Sequence, residues 1–506
     1  MMAPGNIPKG NTVRLGNVPR LLPGRHETLS DSVAALEVLG VAHDSRRVKP
    51  GWVFVAIRGE QRDGADFVDD ALARGAVAIV AERPLKLSRT VPLFVVPDAR
   101  RALAALASHF YGRPSRRLKV IGVTGTNGKT TTTFMLRSIV EAAGHRCGLM
   151  GTIMYDTGRR VLPASITTPE SVDVQEFLAE MVAEGIEYAA MEVSSHALCM
   201  RRVDFVRFAA AVFTNISEEH MDYHRSMNAY MQAKSLLFRR LGPADAAVIN
   251  ASDPAGKFMA ASTCARVVWY GRGKDVQISA TIDRASLGGI EMTLNTPRGS
   301  ADISLPLIGD HNVENAMAAA GAALALGLGL EAIRDGLRNM PPVPGRLEKV
   351  PCEKPVTVLV DYAHTDRALD AVLTGLRRFA TKRILVVFGA GGDRDRTKRP
   401  RMGRVAERGA DVVWVTSDNP RSEEPMAIIQ EIVSGMKHRS RVRIQPDREV
   451  AIGEALHAAE PGDIVLIAGK GHERTQRFRD TVIPFDDREA VRRAFQRDSE
   501  LSLMRA

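Results

Sequence analysis

Short apolar runs alternate with segments of helical periodicity along most of the chain. Near the start, apolar runs at 52–57, 76–80 and 93–96 predict strands around one helix at 66–74, which together make a small α/β unit. A connecting helix is predicted at 100–111, since glycine and proline follow it directly. The first part of the chain is therefore predicted to be a domain of its own.

The same alternation continues as far as an alanine-rich helical segment at 312–326. Strands that alternate with helices predict a mostly parallel sheet covered on both faces. Within this stretch, residues 286–305 alternate in a more antiparallel style and predict a peripheral ribbon. Three prolines and a glycine at 340–346 then indicate a hinge.

Beyond the hinge, apolar strands separated by helical segments predict an α/β unit of dinucleotide-fold type, at 356–360, 384–388, 412–416 and 464–468. The pattern thus predicts an α/β protein of three domains. Their predicted limits, with a flexible lead at 1–24, are 1–98, 99–342 and 343–506.

Composition is that of an ordinary globular protein, with 45% hydrophobic and 25% charged residues in a chain of 506. The net charge is +10, but 69 basic residues are interleaved with 59 acidic ones, which argues against a nucleic-acid partner. Four widely spaced cysteines indicate neither a zinc site nor a disulfide framework and fit a reducing cytoplasm. We find no signal peptide and no apolar run near the roughly 18 residues needed to span a membrane.

The segment GVTGTNGKTTT at 122–132 lies between a predicted strand and a predicted helix. It predicts a phosphate-binding loop, in which Lys129 neutralises phosphate charge and the Thr130 hydroxyl can hold Mg²⁺. Val123 stands where the strict pattern has its first glycine. A plain glycine-rich turn at the start of a helix therefore stays open as an alternative.

Two further side chains follow the ends of apolar strands, Glu192 in YAAMEVSSHAL and His220 in AAAVFTNISEEHMDYH. Ligand groups of open α/β sheets gather at the carboxyl ends of strands, so both are expected near Thr130. A hydroxyl, a carboxylate and an imidazole beside phosphates predict a divalent-metal site. Taken singly, a buried acid and a loop histidine explain the same residues.

Lys234 falls on the apolar stripe of the predicted helix in SMNAYMQAKSLLF. An ammonium group there is costly unless its side chain extends toward a polar region or has a chemical role near the metal.

Taken together, the motifs resemble the Mur ligase family, the ATP-dependent amide-forming enzymes of peptidoglycan precursor synthesis. The resemblance covers nearly the whole chain after about residue 40, through DSRRVKPGWVFVAIRG, TGTNGKTTT, TTPE, EVSSHAL, HMDYH, HNVEN, PGRLE, DYAHT, GGDRDRTKRP, TSDNPRSEEP and GKGHE. The family's loop also lacks the first glycine. The three domains are then a UDP-substrate-binding domain, a central ATPase domain of the phosphate-loop type and a Rossmann-like amino-acid-binding domain.

The family resemblance implies a set of ATP-binding residues, which are Gly125, Thr126, Asn127, Gly128, Lys129, Thr130, Thr131, Asn315, Arg346 and Asp361. It implies one Mg²⁺ held by Thr130 and Glu192, and a second held or oriented by His220, Glu192 and a carbamylated Lys234. The implied catalytic residues are Lys129, Lys234, His220 and Glu192. If Arg346 and Asp361 reach ATP from beyond the hinge, domain closure completes the site.

For UDP-MurNAc-L-Ala-D-Glu the resemblance implies the GEQRDG segment and a set of side chains, Ser45, Thr167, Thr168, Ser194 and Arg202. Glu60 and Met200 depart from the family's usual residues, so the detailed uridine and peptide contacts stay open. Without the resemblance, Ser45 is explained as a turn residue and the two threonines as a helix start.

DNPR at 418–421 resembles the signature of the branch that adds meso-diaminopimelate, and its guanidinium suits bidentate carboxylate binding. The implied diaminopimelate-binding residues are Arg394, Asp418, Asn419, Arg421, Gly469 and Glu473. The implied reaction joins that amino acid to the UDP-substrate through an acyl phosphate and releases ADP and phosphate, in a cytoplasmic monomer.

Other functions are weighed against this one. A ligase of the same superfamily could add lysine, another amino acid or a dipeptide, or extend folylpolyglutamate. An NAD-dependent oxidoreductase built on VVFGAGGDRD is disfavoured, because Arg394 occupies the third glycine position of that pattern. A non-enzymatic nucleotide-binding regulator leaves Glu192, His220 and Lys234 without a purpose.

Overall fold

The computed structural model describes residues 13–22, 28–59, 62–273, 275–352 and 354–503. The chain divides into two compact units. The first comprises Met1–Thr281, Thr293–Asp302 and Glu314–Asn339, and the second comprises Ile282–Met292, Ile303–Val313 and Met340–Ala506.

The beginning of the first unit is a small parallel sheet with helices. Its strands pair in chain order and all run parallel: Gly40–Ala42, Trp52–Val55, Ala76–Ala81 and Leu93–Val95. The third of them reads AVAIVA and is almost entirely buried, as expected for a strand covered on both faces. The α-helices of this part are Asp31–Ala34, Val68–Ala73 and Ala99–Phe110, and the 3-10 helices are Leu15–Leu21, Ser45–Arg47 and Gly64–Phe67.

The predicted flexible lead is wrong for residues 13–22. Val13–Arg14 pairs with Glu37–Val38, and the following 3-10 helix buries Leu15 and Val18 in the core of this sheet. The apolar residues of VRLGNVPRLL make that core contact. Polar residues and a proline interrupt their spacing, so hydrophobic periodicity did not predict the segment. Residues 1–12 and 23–24 of the predicted lead lie outside the described residues.

The central sheet of the first unit carries the predicted phosphate loop. Its strands lie in the order Val161–Pro163, Met154–Asp156, Cys147–Met150, Tyr188–Glu192, Lys119–Thr124, Phe208–Phe213, Ala246–Asn250 and Arg266–Tyr270. The last six of these run parallel, and the first two are an antiparallel extension. The carboxyl ends of the parallel strands therefore share one edge of the sheet, as predicted.

Helices cover both faces of this sheet, and the ribbon predicted after it is a three-stranded sheet within the described residues, formed by Ser279–Ser286, Gly289–Thr296 and Gly299–Leu305. The α-helices of this region are Lys129–Ala142, Ser171–Ala183, Ser195–Cys199, Met221–His224, Met227–Phe238, Gly256–Ala261, His311–Ala325 and Leu330–Arg338, and Pro114–Arg116 is a 3-10 helix.

The second unit has its own sheet, in the order Glu348–Val350, Thr357–Asp361, Ile464–Ala468, Ile384–Phe388, Val412–Val415 and Val442–Ile444. The four predicted strands are its parallel centre; the two edge strands were not predicted because each has only three residues. A ribbon of Thr475–Arg477 and Val482–Pro484 follows. The α-helices are Asp366–Arg377, Lys398–Gly409, Pro425–Val433, Arg448–Ala458 and Asp487–Leu503, and Arg439–Arg441 is a 3-10 helix.

A fully buried ion pair ties this unit together. Arg448 and Asp487 are both solvent-inaccessible, with Nε 2.7 Å from Oδ1. The Arg448 guanidinium also donates to the carbonyls of Ser417, at 3.4 Å, and Ala468, at 3.0 Å. One side chain thus joins the ends of two central strands to the last helix.

We predict that Arg448→Ala destabilises the second unit by about 3 to 5 kcal/mol, because it leaves the Asp487 charge buried alone. The measurement is denaturant unfolding followed by Trp414 fluorescence in a Trp52→Phe/Trp269→Phe background, which leaves one of the chain's three tryptophans. Arg493→Ala breaks a half-exposed pair with Glu449 and is the control, with an expected loss below about 1 kcal/mol. Equal losses in both variants would contradict the prediction.

Candidate active site

The phosphate loop at residues 125–128 connects the strand Lys119–Thr124 to the helix Lys129–Ala142. Gly125 and Gly128 have φ of +153° and +84°, in the region that favours glycine. A Cβ at Gly125 would lie 1.8 Å from Thr214 Oγ1, and one at Gly128 would lie 2.3 Å from Asn315 Oδ1. Both glycines are therefore required by conformation and by space, which a plain turn at a helix start does not demand.

Two lysines converge on this loop. Lys129 Nζ donates to the carbonyls of Gly125, at 3.0 Å, and Thr126, at 2.7 Å. Lys234 is 1% exposed, and its Nζ donates to the same Gly125 carbonyl at 2.8 Å and lies 4.3 Å from the Tyr230 ring centroid. Burial, and then the charge of Lys129, lower the pKa of Lys234 well below its usual value.

Glu192 lies at the end of the strand beside the loop strand, in register with Val123. It is 1% exposed. Its Oε1 accepts from the Thr152 backbone N–H at 2.8 Å and its Oε2 from the Thr152 hydroxyl at 3.0 Å. The carboxylate thus has a fixed orientation at the sheet edge that carries the phosphate loop.

His220 has φ of +58° and starts the short helix Met221–His224. Burial is the main cause that lowers its pKa, and Lys129 and Lys234 act in the same direction while Glu219 opposes them. The lowered pKa favours the neutral imidazole, and His220 and Lys234 share Tyr230 as a neighbour. Around it lie aromatic rings, with the His196 centroid 4.9 Å and the Tyr230 centroid 6.3 Å away.

Across the part of the chain that the structure describes, no three His, Cys, Asp or Glu side chains form a metal cage. Mg²⁺ in nucleotide sites uses one or two carboxylates together with phosphate oxygens and water, so such a cage is not required. Glu192 supplies a carboxylate, and Thr130 supplies a hydroxyl in the first turn of the loop helix. Both are the oxygen donors that Mg²⁺ prefers, so these residues fit the ion.

The remaining residues of the predicted ATP set lie in both units. Asn315 Oδ1 packs against Gly128 and lies 3.5 Å from the Thr132 hydroxyl, in the first unit. In the second unit, Asp361 accepts from the backbone N–H groups of Leu347 and Ala363, both at 2.8 Å. Burial raises the pKa of Asp361, and the nearby Arg346 guanidinium opposes that shift.

The residues predicted for the UDP-substrate gather beside Glu192. Thr168 Oγ1 donates to the Glu192 carbonyl at 2.8 Å and accepts from the Ser194 N–H at 3.1 Å. Arg202 donates to the Thr168 carbonyl at 3.1 Å and pairs with Glu170 at 2.5 Å. Since Thr168 is 1% exposed, its hydroxyl forms hydrogen bonds within the protein and is not accessible to solvent.

Ser45 lies in the first turn of a 3-10 helix and is also buried. Two residues before it, burial lowers the pKa of His43, and the charges of Glu170 and Asp173 oppose that shift. Residues 60 and 61 of the GEQRDG segment lie outside the described residues.

In the second unit, the predicted arginines lie side by side. Arg421 has φ of +53°, and its Nη1 donates to the Gly392 carbonyl at 2.5 Å. A Cβ at Gly391 would lie 2.9 Å from Arg421 Nη1 and 3.7 Å from Arg394 Cγ. Burial, followed by the charge of Arg394, lowers the pKa of Arg421. Both arginines thus lie against Gly391, and their two positive charges make this loop suited to an anion.

An acidic group adjoins these arginines. Glu473 Oε2 accepts from Asn419 Nδ2 at 2.7 Å and from Lys470 Nζ at 3.0 Å. Gly469 has φ of +114°, and a Cβ there would lie 2.7 Å from Asp418 Oδ2. The structure therefore brings all six residues of the predicted diaminopimelate set to the carboxyl ends of neighbouring strands. Lys470, which is fully buried, was missed because GKGHE reads as a loop.

Arg399 was also missed, since a charged residue in an amphipathic helix is normally assigned to the surface. It is fully buried, pairs with Glu423 and Glu431 at 2.8 Å each, and donates to the Gly391 carbonyl at 3.2 Å. Glu423 in turn accepts from the Asp393 N–H at 2.7 Å. This cluster fixes the loop on which Arg394 is located.

Comparison with known proteins identifies the family of this chain. Three sequence models match: "Mur ligase family, catalytic domain" at residues 37–111, "Mur ligase middle domain" at 123–323 and "Mur ligase, glutamate ligase domain" at 345–471. The chain belongs to the Mur ligase family. Its mostly parallel α/β sheets and the order of its motifs are those of a three-domain Mur ligase.

Individual Mur ligases are similar over almost the full length. The UDP-N-acetylmuramoyl-L-alanyl-D-glutamate–2,6-diaminopimelate ligase of Geobacillus kaustophilus is 46% identical, over 94% of this chain and 97% of that protein. A solved structure of a ligase with that name is 32% identical, with a TM-score of 0.68 over 95% of this chain and 99% of its own. A Mycobacterium tuberculosis folylpolyglutamate synthase, 23% identical with a TM-score of 0.60 over 72% of this chain and 91% of its own, shares the fold.

Among the described residues, every helix is too short or too polar to cross a membrane.

We predict a pH-dependent contribution of Glu423 to the stability of the second unit. The hydrogen bond from Arg399 is the main cause that lowers the pKa of Glu423 to about 2 from its usual 4.5. The contribution is complete above about pH 5 and is lost as the pH falls through about 2, because the folded carboxylate must then be protonated. Wild type should have a higher unfolding midpoint than Glu423→Gln above about pH 5, and this difference should decrease as the pH falls through about 2.

The exposed neighbour Glu424→Gln is the control for that experiment, and its midpoint should follow wild type at every pH. A difference between wild type and Glu423→Gln that stays constant from pH 6 to about 2.5 contradicts the assignment.

Proposed function

We propose that this ligase joins meso-diaminopimelate to UDP-MurNAc-L-Ala-D-Glu at the expense of ATP, giving the UDP-MurNAc-tripeptide, ADP and phosphate. Relatives at 42–46% identity carry the name of that ligase over more than 90% of this chain. The observation that favours diaminopimelate is the Arg394–Arg421 pair beside Glu473, since two cations and one anion complement an amino acid with an extra carboxylate.

The proposed nucleotide contacts are residues 125–131 and Asn315, and Arg346 and Asp361 are proposed as further contacts. Backbone N–H groups of the loop and the start of its helix would face the phosphates. Lys129 would exchange its contacts with loop carbonyls for phosphate oxygens. An anionic carboxylate attacks an anionic γ-phosphate in this reaction, so heavy charge neutralisation is required.

Mg²⁺ would supply much of that neutralisation, held by Thr130, Glu192, His220 and Lys234 as its carbamate. The burial of Lys234 beside Lys129 favours the neutral amine. A neutral amine can add to CO₂, forming an N–C bond and releasing one proton to solvent, and the product is a carboxylate-like group. This chemistry accounts for a lysine in a buried position where an ammonium is costly.

The chemical sequence follows from the charges. The D-Glu carboxylate of the UDP-substrate attacks the γ-phosphorus, ADP leaves, and an acyl phosphate forms. The amine of diaminopimelate then attacks the acyl carbon, and phosphate leaves from the tetrahedral intermediate. Arg421 and Arg394 would grip the distal carboxylate, Glu473 would receive the distal ammonium, and Asp418, Asn419 and Gly469 would shape the pocket.

Ser45, Thr167, Ser194 and Arg202 are proposed to contact the UDP-substrate, with Thr168 holding the segment through its buried hydroxyl. The proposed domain limits remain 1–98, 99–342 and 343–506. A cytoplasmic monomer fits substrates that are small and charged.

The decisive experiment is phosphate release from ATP by the purified chain with each substrate omitted in turn. Release is expected only when both UDP-MurNAc-L-Ala-D-Glu and meso-diaminopimelate are present. Replacement of the amino acid by lysine tests the lysine-adding alternative, and a folate with glutamate tests the folylpolyglutamate alternative. Absence of turnover with diaminopimelate, whatever the UDP-substrate, would reject the proposed substrate while leaving the ligase class intact.

Arg421 provides a second prediction. Arg421→Ala should lower kcat/KM for diaminopimelate by the equivalent of about 2 to 5 kcal/mol, because the substrate carboxylate loses a buried partner. Arg421→Lys should restore little, since an ammonium cannot bind a carboxylate in two places. Arg443→Ala, which changes an exposed arginine of the edge strand Val442–Ile444, is the control. Normal kcat/KM in Arg421→Ala would refute the specificity assignment.

A further inference from the structure

The turn at Gly151 and Thr152 holds both oxygens of the Glu192 carboxylate. The Thr152 N–H and hydroxyl donate to Oε1 and Oε2, at 2.8 and 3.0 Å. A Cβ at Gly151 would lie 2.4 Å from Oε1, so the carboxylate is pressed against this turn. The turn follows the strand Cys147–Met150, which pairs in parallel with the strand that ends at Glu192. Neither residue belongs to any motif noted in the sequence.

The same threonine leads toward the UDP-substrate residues. Thr152 Oγ1 and Thr167 Oγ1 are 3.2 Å apart. A hydroxyl has one proton, so Thr152 Oγ1 donates either to Thr167 Oγ1 or to Glu192 Oε2 at any one time. Its neighbour Thr168 donates to the Glu192 carbonyl. Thr168 is thus connected to the main chain of Glu192, and Thr167 is connected through Thr152 to the Glu192 carboxylate.

We propose that Thr152 is a positioning residue that couples occupancy of the UDP-substrate site to divalent-cation binding at Glu192. This inference rests on the proposed function, in which Glu192 holds Mg²⁺ and Thr167 contacts the substrate. A carboxylate has about four lone-pair positions, so the two hydrogen bonds from Thr152 leave positions for a cation. A substrate that donates a hydrogen bond to Thr167 Oγ1 replaces Thr152 as its donor, which leaves the Thr152 proton to Glu192 and fixes the orientation of the carboxylate.

Coupling of this kind is reciprocal: if the cation strengthens substrate binding, the substrate strengthens cation binding by the same factor. A hydrogen-bond donor behind a metal ligand commonly changes metal affinity by 10- to 100-fold when it is removed. Thr152→Val preserves shape and the backbone N–H while deleting the hydroxyl. The variant should therefore lower both the cation affinity and the coupling factor.

The test uses Mn²⁺ as the probe, with its affinity measured by electron paramagnetic resonance on the full chain in the presence of a non-hydrolysable ATP analogue. Each titration is run with and without UDP-MurNAc-L-Ala-D-Glu. In wild type the UDP-substrate should change Mn²⁺ affinity several-fold. In Thr152→Val the affinity should fall by about 10- to 100-fold and the coupling factor should approach one.

Two variants separate the hydroxyl from simple packing. Thr152→Ser keeps the hydroxyl and should retain at least half of the coupling. Thr157→Val removes a buried hydroxyl that contacts Arg160 in the adjoining hairpin, and it should match wild type. In steady state, Thr152→Val should require more Mg²⁺ for half-maximal activity and show a lower kcat, with a smaller change in the KM for diaminopimelate.

Wild-type Mn²⁺ affinity and coupling in Thr152→Val would overturn the inference, and so would equal losses in Thr152→Ser and Thr152→Val. Should Thr152→Val fail to fold, Gly151→Ala displaces the same carboxylate with the hydroxyl in place, and unchanged Mn²⁺ binding in it would also overturn the inference. A failure of the proposed function is distinct, because wild type would then release no phosphate with diaminopimelate.

Discussion

A single carbonyl oxygen, that of Gly125, organises the centre of the first unit, because it accepts hydrogen bonds from both Lys129 and Lys234. Burial, and then the charge of Lys129, favour the neutral amine of Lys234 beside the Lys129 ammonium group. The arrangement persists only because the loop backbone turns its carbonyl toward them, and that turn requires a glycine packed against Thr214. The Lys129 ammonium group and the Lys234 amine are thereby held together at the sheet edge where an anionic nucleotide is proposed to bind.

Much of this could be predicted from sequence because it depends on local chemistry. The phosphate loop, the strand-end positions of Glu192 and His220 and the inward direction of Lys234 all follow from periodicity and from the rule that ligands gather at carboxyl ends. The central strands of the second unit were predicted for the same reason, since each is a continuous apolar run. Lys234 is the clearest example, with an observed exposure of 1%.

What the pattern did not reveal depends on contacts between residues distant in sequence. Arg448 and Arg399 are fully buried, yet each lies in a helix whose composition suggests an exposed charge; their partners are 39 and 24 to 32 residues away. Thr152 acts on Glu192 across 40 residues. The packed 3-10 helix at Leu15–Leu21 was mistaken for a flexible lead because a short irregular segment has no period to detect. The three-residue edge strands of the second unit were not predicted for the same reason.

The buried pair of Arg448 and Asp487 has a bearing on how amino-acid preference can evolve in this unit. The Arg448 guanidinium donates to the carbonyl of Ser417, just before DNPR, and to the carbonyl of Ala468, just before GKGHE. The two loops that are proposed to bind the amino acid therefore begin at carbonyls that share one guanidinium donor. If DNPR alone were moved into a relative that adds another amino acid, the backbone position from which Arg421 extends would differ. A change of amino-acid substrate therefore calls for exchange of both loops together with Arg448 and Asp487.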